Sequence, residues 1–187
     1  MLFRRSEITG VLLLTPTKHE DQRGFLSETY RWDVLAAEGV KFDFVQDNHV
    51  CTKQAGVLRG LHFQIAPKTQ GKLVRCSKGA ILSVAVDLRT GSPTYRRHVA
   101  VELSADNWQQ LWVPPGFAHG YITLRAESDA IYKTTEYYAP DCDRGIAWDD
   151  PELGIDWKIE VGKVILSDKH RRQPRLAEVE PVFEYTH

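Results

Sequence analysis

Two histidines, His62 and His119, sit in glycine-containing stretches of a kind that builds sites. His62 lies in Gly56-Val57-Leu58-Arg59-Gly60-Leu61-His62-Phe63-Gln64, which continues to Gly71-Lys72. His119 lies in Pro114-Pro115-Gly116-Phe117-Ala118-His119-Gly120. An imidazole titrates near neutrality, so it can take a proton, give one or bind a metal. Metal binding fits poorly. Two histidines without a third protein ligand hold a divalent ion weakly, and a cation such as Lys72 nearby weakens the site further.

Other polar residues stand inside apolar stretches. Asp21-Gln22-Arg23-Gly24-Phe25-Leu26-Ser27-Glu28 places Arg23 and Glu28 at a strand entrance. Gln46 and Asn48 interrupt another strand, and Arg59 a third. Buried polar groups must find partners. For any one of them a structural hydrogen bond serves equally well. For the set, a polar ligand in a shared cavity is the better account. Parity adds a condition: Arg59 and His62 lie on opposite faces of a regular strand. For both to reach one cavity the strand must bulge, and Gly60 is the natural place.

These residues need a scaffold of strands. Residues 11–15, 25–30, 42–49, 57–64, 72–76, 80–88, 98–103, 111–113, 119–124 and 130–138 read as strands, short and rich in Val, Ile, Leu, Tyr and Thr. Residues 33–38 read as a short helix with Asp33 as N-cap, and 104–110 as one helical turn. In 80–88, Leu82, Val84, Val86 and Leu88 share a core face, while Ile81, Ser83, Ala85 and Asp87 form a smaller, more polar wall. After about residue 140 the alternation fades into a loop-rich wrap with short helical pieces. The pattern predicts one all-β domain over 1–187, a sandwich or jelly roll with short peripheral helices.

Composition narrows the class. A chain of 187 residues with formal net charge −1 carries no global field for nucleic acid or acidic membrane. The cysteines, Cys51, Cys76 and Cys142, are odd in number and show no metal-binding spacing. The apolar run Val11-Leu12-Leu13-Leu14 is too short for a signal peptide or a span. A cytoplasmic protein is expected.

The two histidine motifs resemble those of the cupin superfamily, double-stranded β-helices of the jelly-roll type. Many cupins hold a metal with His-x-His, a downstream Glu and the second-motif His. Here Gln64 takes the second position, and Lys68 and Thr69 stand where the Glu would be. More specifically, residues 21–30, 45–48, 57–64, 70–75, 84–93, 112–120, 131–140 and 148–157 together resemble the dTDP-4-dehydrorhamnose 3,5-epimerase family, over almost the whole chain.

That resemblance implies a cofactor-free, metal-free homodimer. Its substrate would be dTDP-4-dehydro-6-deoxy-D-glucose, inverted at C3 and C5 to dTDP-4-dehydro-L-rhamnose. It implies His62 as base, Tyr132 as acid and Lys72 as the cation near the sugar ketone. It implies Arg23, Glu28, Gln46, Asn48, Arg59, His119 and Lys169 as ligand contacts, with Tyr138 packing near the nucleotide base. Asp143 stands where the family more often has Glu. The residue types suit the reaction: a proton beside a ketone is removed by a base near neutrality, and a fixed cation stabilises the enolate. Taken alone, Tyr132 reads equally as a half-exposed strand residue and Lys72 as a solvated edge charge.

Two positions depart from the family pattern. In Ser167-Asp168-Lys169-His170, His170 occupies the place of an Asp that pairs with the catalytic histidine, and Asp168 is two residues away. Ser83 stands where the family usually has Asp. These departures keep two rivals open: an epimerase acting at one carbon or on a related 4-keto sugar, and a catalytically weakened nucleotide-sugar binding protein.

Overall fold

The strand Ala80–Asp87 is buried on both faces in the computed structural model, which describes residues 1–186. Leu82, Val84 and Val86 pack with Leu58, Leu61, Phe63 and Ile122 beneath Leu153, Trp157 and Leu176 of the C-terminal wrap. Ile81 and Ala85 face the other way, into a second cluster. The sequence pattern assigned the core to the first face; the interior between the sheets claims the second as well. Each such aliphatic side chain removed from water contributes about 1.5–3 kcal/mol.

Two antiparallel sheets enclose that interior. One holds β1 (Leu2–Arg5), β2 (Leu12–Thr15), β5 (Gln46–Thr52), β7 (Lys72–Lys78), β11 (Gln110–Val113) and β13 (Ser128–Thr134), in the order β1-β2-β11-β7-β13-β5. The other holds β6 (Leu58–Gln64), β8 (Ala80–Asp87), β10 (His98–Ser104), β12 (Phe117–Thr123) and β14 (Asp143–Gly145), in the order β10-β8-β12-β6-β14. The hairpin β3 (His19–Asp21) and β4 (Gly24–Leu26) stands apart, and β9 (Arg89–Thr90) pairs in parallel with β15 (Phe183–Glu184). Leu13, Val74, Leu111 and Ala130 of the first sheet meet Ile81, Ala85, Leu103, Phe117 and Tyr121 of the second, as in a jelly roll. No helix among the described residues is long and apolar enough to cross a membrane.

Inward positions change character along the strands. On β7 they run Cys76, Val74, Lys72; on β13 they run Ala130, Tyr132, Thr134. Strands β7 and β13 pair with Tyr132 opposite Val74 and Thr134 opposite Lys72. One end of the interior is therefore apolar, and the other presents polar groups toward a mouth.

Three local expectations are corrected. Helix α1 spans Trp32–Ala37 with Arg31, not Asp33, as N-cap. Asp33 lies in the first turn and accepts two hydrogen bonds from the Arg31 guanidinium, at 2.9 and 2.8 Å. Residues 104–110 form no helix: the Asn107 side chain accepts from the Ser104 and Gln109 amides, a local pairing that competes with helical bonding. The strand expected over 25–30 stops at Leu26. Beyond it the Ser27 hydroxyl accepts from the Trp108 indole at 3.0 Å, and the Thr29 carbonyl from Gln110 at 2.9 Å.

Candidate active site

The bulge required by parity is present at Gly60. His119 pairs with His62 and Tyr121 with Arg59, so one residue of β12 faces two of β6. Arg59 and His62 thereby share the face of His119 and Tyr121. Gly60 has φ +124°, and a Cβ there would lie 2.5 Å from Gly120 Cα. Only glycine permits that approach.

The polar end opens into a cavity of about 290 Å³. His62 reaches it from β6 in the five-stranded sheet, and Lys72 and Tyr132 from β7 and β13 in the six-stranded sheet. Gln46, Asn48, Tyr138, Asp143 and Lys169 also line it, as does His170. The Tyr138 hydroxyl donates to Asp143 at 3.2 Å, and the Lys169 ammonium pairs with the same carboxylate. Gln46 donates to the Asn48 amide oxygen at 2.9 Å and accepts from the Tyr138 backbone N–H at 3.0 Å. Asn48 Nδ2 and Arg59 Nε are buried donors without a protein acceptor among the described residues. Such groups are costly unless a ligand satisfies them.

Charges are set by burial. Burial, then the positive charge of Lys72, holds His62 well below the usual imidazole range, with His119, His170 and Lys169 acting the same way. Burial brings Lys72 down to about 8, opposed by Asp143. Burial raises the Tyr132 phenol, opposed by Arg59. At neutral pH this gives a neutral imidazole, a mostly protonated lysine and a protonated phenol around one cavity. His119 is buried on β12, opposite His62 in the strand register, and shares a 2.9 Å hydrogen bond with the Ser83 hydroxyl. Burial and Lys72 keep it neutral too. Among the described residues no group of three His, Cys, Asp or Glu side chains is placed to hold a metal ion.

Arg59 and His119 do not themselves line the cavity, and the remaining residues singled out from sequence lie farther off. Arg23 sits on the exposed β3–β4 hairpin, paired with Asp21 at 2.5 Å, and Glu28 beyond it is exposed near Arg31. Neither lines the cavity of its own chain. Asp168 is exposed and does not line the cavity.

Residues 5–178 match the family described as dTDP-4-dehydrorhamnose 3,5-epimerase. The chain belongs to this family. The dTDP-4-dehydrorhamnose 3,5-epimerase of Sinorhizobium fredii is 46% identical over 99% of this chain and 94% of its own. A Bacillus anthracis dTDP-4-dehydrorhamnose 3,5-epimerase structure with TDP and pyrophosphate bound is 46% identical, with TM-score 0.90 over 94% of this chain and 99% of that one. A Legionella pneumophila dTDP-6-deoxy-D-glucose-3,5-epimerase in complex with dTDP-4-keto-L-rhamnose is 38% identical, with TM-score 0.94 over 100% and 99% of the two chains. This chain is thus an isomerase of the dTDP-4-dehydrorhamnose 3,5-epimerase type.

In this epimerase-family chain the cavity also takes in Phe63, Gln64, Gln70 and Thr134, which residue type did not point to as site residues. Thr134 and Gln64 share parity with Tyr132 and His62, and that signal was available in the sequence. Gln70 had none: it lies outside the strands, and its place follows from a 2.7 Å bond to the Glu136 carbonyl.

Proposed function

We propose that the chain epimerises dTDP-4-dehydro-6-deoxy-D-glucose at C3 and C5, giving dTDP-4-dehydro-L-rhamnose. The observation that carries this reading is that His62 and Tyr132 project from opposite sheets into one cavity that Lys72 also lines. His62 removes the proton beside the ketone. Protonated Lys72 stabilises the charge that develops on the ketone oxygen. Tyr132 returns a proton from the other face, and addition from the opposite side inverts the centre. Each inversion removes one proton and returns one, so no electrons are gained or lost and no redox cofactor is needed.

Asp143, Lys169, Tyr138, Gln46 and Asn48 form the mouth that holds the nucleotide. Arg59 supplies a charged donor for the diphosphate. Arg23 and Glu28 reach substrate only across an interface, since the hairpin that carries Arg23 and the segment just beyond it that carries Glu28 lie outside their own chain's cavity. Phe25 and Leu26 on that hairpin are 49% and 66% exposed, which favours a homodimer in which each hairpin serves the partner's site. Three free thiols fit the reducing cytoplasm, and one domain performs the whole reaction.

A second reading has its own support. His62 stands beside His170 rather than a carboxylate, and His119 beside Ser83. A weaker base favours inversion at one carbon, or binding without turnover. Nuclear magnetic resonance of the product decides: inversion at both carbons supports the first reading. A singly inverted sugar, or unchanged substrate, supports the second.

A further inference from the structure

Gln64 is 3% exposed, and both amide donors and the amide oxygen of its side chain are hydrogen-bonded within the protein. Its Nε2 donates to the Lys68 carbonyl at 2.6 Å and to the Tyr137 carbonyl at 3.1 Å. Its Oε1 accepts from the Ala139 amide at 2.8 Å. Two carbonyls require the NH2 end and one N–H requires the oxygen, so the partners fix which end is which. Gln64 therefore grips the chain on both sides of Tyr138. On the backbone, Gln64 also pairs with Asp143, the acceptor of the Tyr138 hydroxyl.

We propose that Gln64 is a positioning residue that fixes the mouth segment 137–139, so that Tyr138 is held ready for the nucleotide. Three observations converge. Tyr138 is 54% exposed and Tyr137 59%, so little apolar packing holds this segment. Its order comes from polar ties: those of Gln64, the Gln46 bond to the Tyr138 amide, and the Gln70 and Thr134 bonds to the Glu136 carbonyl. Of these residues Gln64 alone binds on both flanks of Tyr138. Moreover, both amide donors and the Oε1 of Gln64 are engaged with backbone groups of the protein, which is the work of a brace. It fills the second place of the His-x-His pattern with a group already committed elsewhere.

The kinetic part of this inference rests on the proposed function; the structural part does not. Gln64→Leu removes all three bonds at nearly the same volume. Gln64→Glu keeps the acceptor for Ala139 and removes both donors. Amide hydrogen exchange is the direct probe: the Ala139 amide should exchange about tenfold faster or more in Gln64→Leu and stay slow in Gln64→Glu. In turnover, Gln64→Leu should raise KM about tenfold while kcat stays within about threefold, the signature of lost uniform binding. Tyr138→Ala together with Gln64→Leu should have the KM of Tyr138→Ala alone, because the brace acts through that tyrosine. Unchanged Ala139 exchange in Gln64→Leu, a fall in kcat with KM unmoved, or additive KM effects would each overturn the proposal. A wild type that leaves the sugar unchanged would overturn the proposed function alone, and the exchange measurement would still decide the role of Gln64.

Discussion

The imidazole rings of His62 and His170 lie nearly parallel, at 13°, with centroids 6.1 Å apart. His170 lies in the short helix α2 (Asp168–Arg171), with its Nδ1 3.0 Å from the hydroxyl of the N-cap residue Ser167. The candidate base thus faces a second imidazole where a carboxylate would stabilise its protonated form. Burial, then Lys169 and Arg59, also push His170 down, with Asp143 opposing. Two neutral imidazoles side by side make a weak base that stays unprotonated into mildly acidic solution.

The first prediction follows from that pair. His62 acts as base only when neutral, and its downward shift places the acid limb of kcat/KM well below the usual imidazole range. His170→Asp adds a negative charge, which favours the imidazolium. The acid limb should move up in pH, and proton exchange near neutrality should speed up. Asp168→Asn should leave the profile unchanged, since Asp168 is exposed away from the cavity. A profile unmoved by His170→Asp would show that His62 needs no partner from this helix.

Lys72 governs the other limb. It stabilises an oxyanion only when protonated, and burial sets its loss of charge at about 8. Activity should therefore fall as pH rises through about 8. Lys72→Arg, whose guanidinium stays charged, should retain part of the rate and lose this alkaline limb. An alkaline limb persisting in Lys72→Arg would assign it to another group.

Tyr132→Phe removes one hydroxyl and keeps the ring. Exchange at the base face should continue, while the yield of inverted product collapses. Product stereochemistry by nuclear magnetic resonance checks this, and a normal epimer yield would point to another donor.

Much of this site was legible in one sequence, and the reasons are local. Strand period puts His62 with Gln64 and Tyr132 with Thr134, and the pairing of Arg59 with His62 demanded a bulge that Gly60 supplies. The failures are equally physical. Asp33 was taken from the cap by Arg31, and Asn107 folded residues 104–110 onto their own backbone. The site role of Arg23 and Glu28 is a different case: Arg23 lies on the β3–β4 hairpin and Glu28 just beyond it, and no local pattern specifies which way that segment points. The approach of His170 to His62 depends on how the C-terminal wrap settles on β6, a contact separated by more than a hundred residues of sequence.

Arginine placement gives a fourth prediction. Arg59→Ala should weaken dTDP binding by about 1.5–3 kcal/mol, the worth of a charged hydrogen bond, measured by calorimetry. Arg23 serves the partner's cavity in the proposed dimer. Mixed and re-equilibrated Arg23→Ala and His62→Ala chains should therefore regain activity in about a quarter of all sites, because each mixed dimer rebuilds one intact site. No gain on mixing would place Arg23 outside the catalytic assembly.

The central claim is that His62 moves the substrate proton within a two-faced cavity. The most direct measurement is deuterium incorporation from heavy water into the dTDP-linked 4-keto-6-deoxy sugar, followed by mass spectrometry and nuclear magnetic resonance. Wild type should place deuterium at C3 and at C5. His62→Ala should place none while still binding dTDP near the wild-type affinity. Wash-in at a comparable rate in His62→Ala would contradict the account.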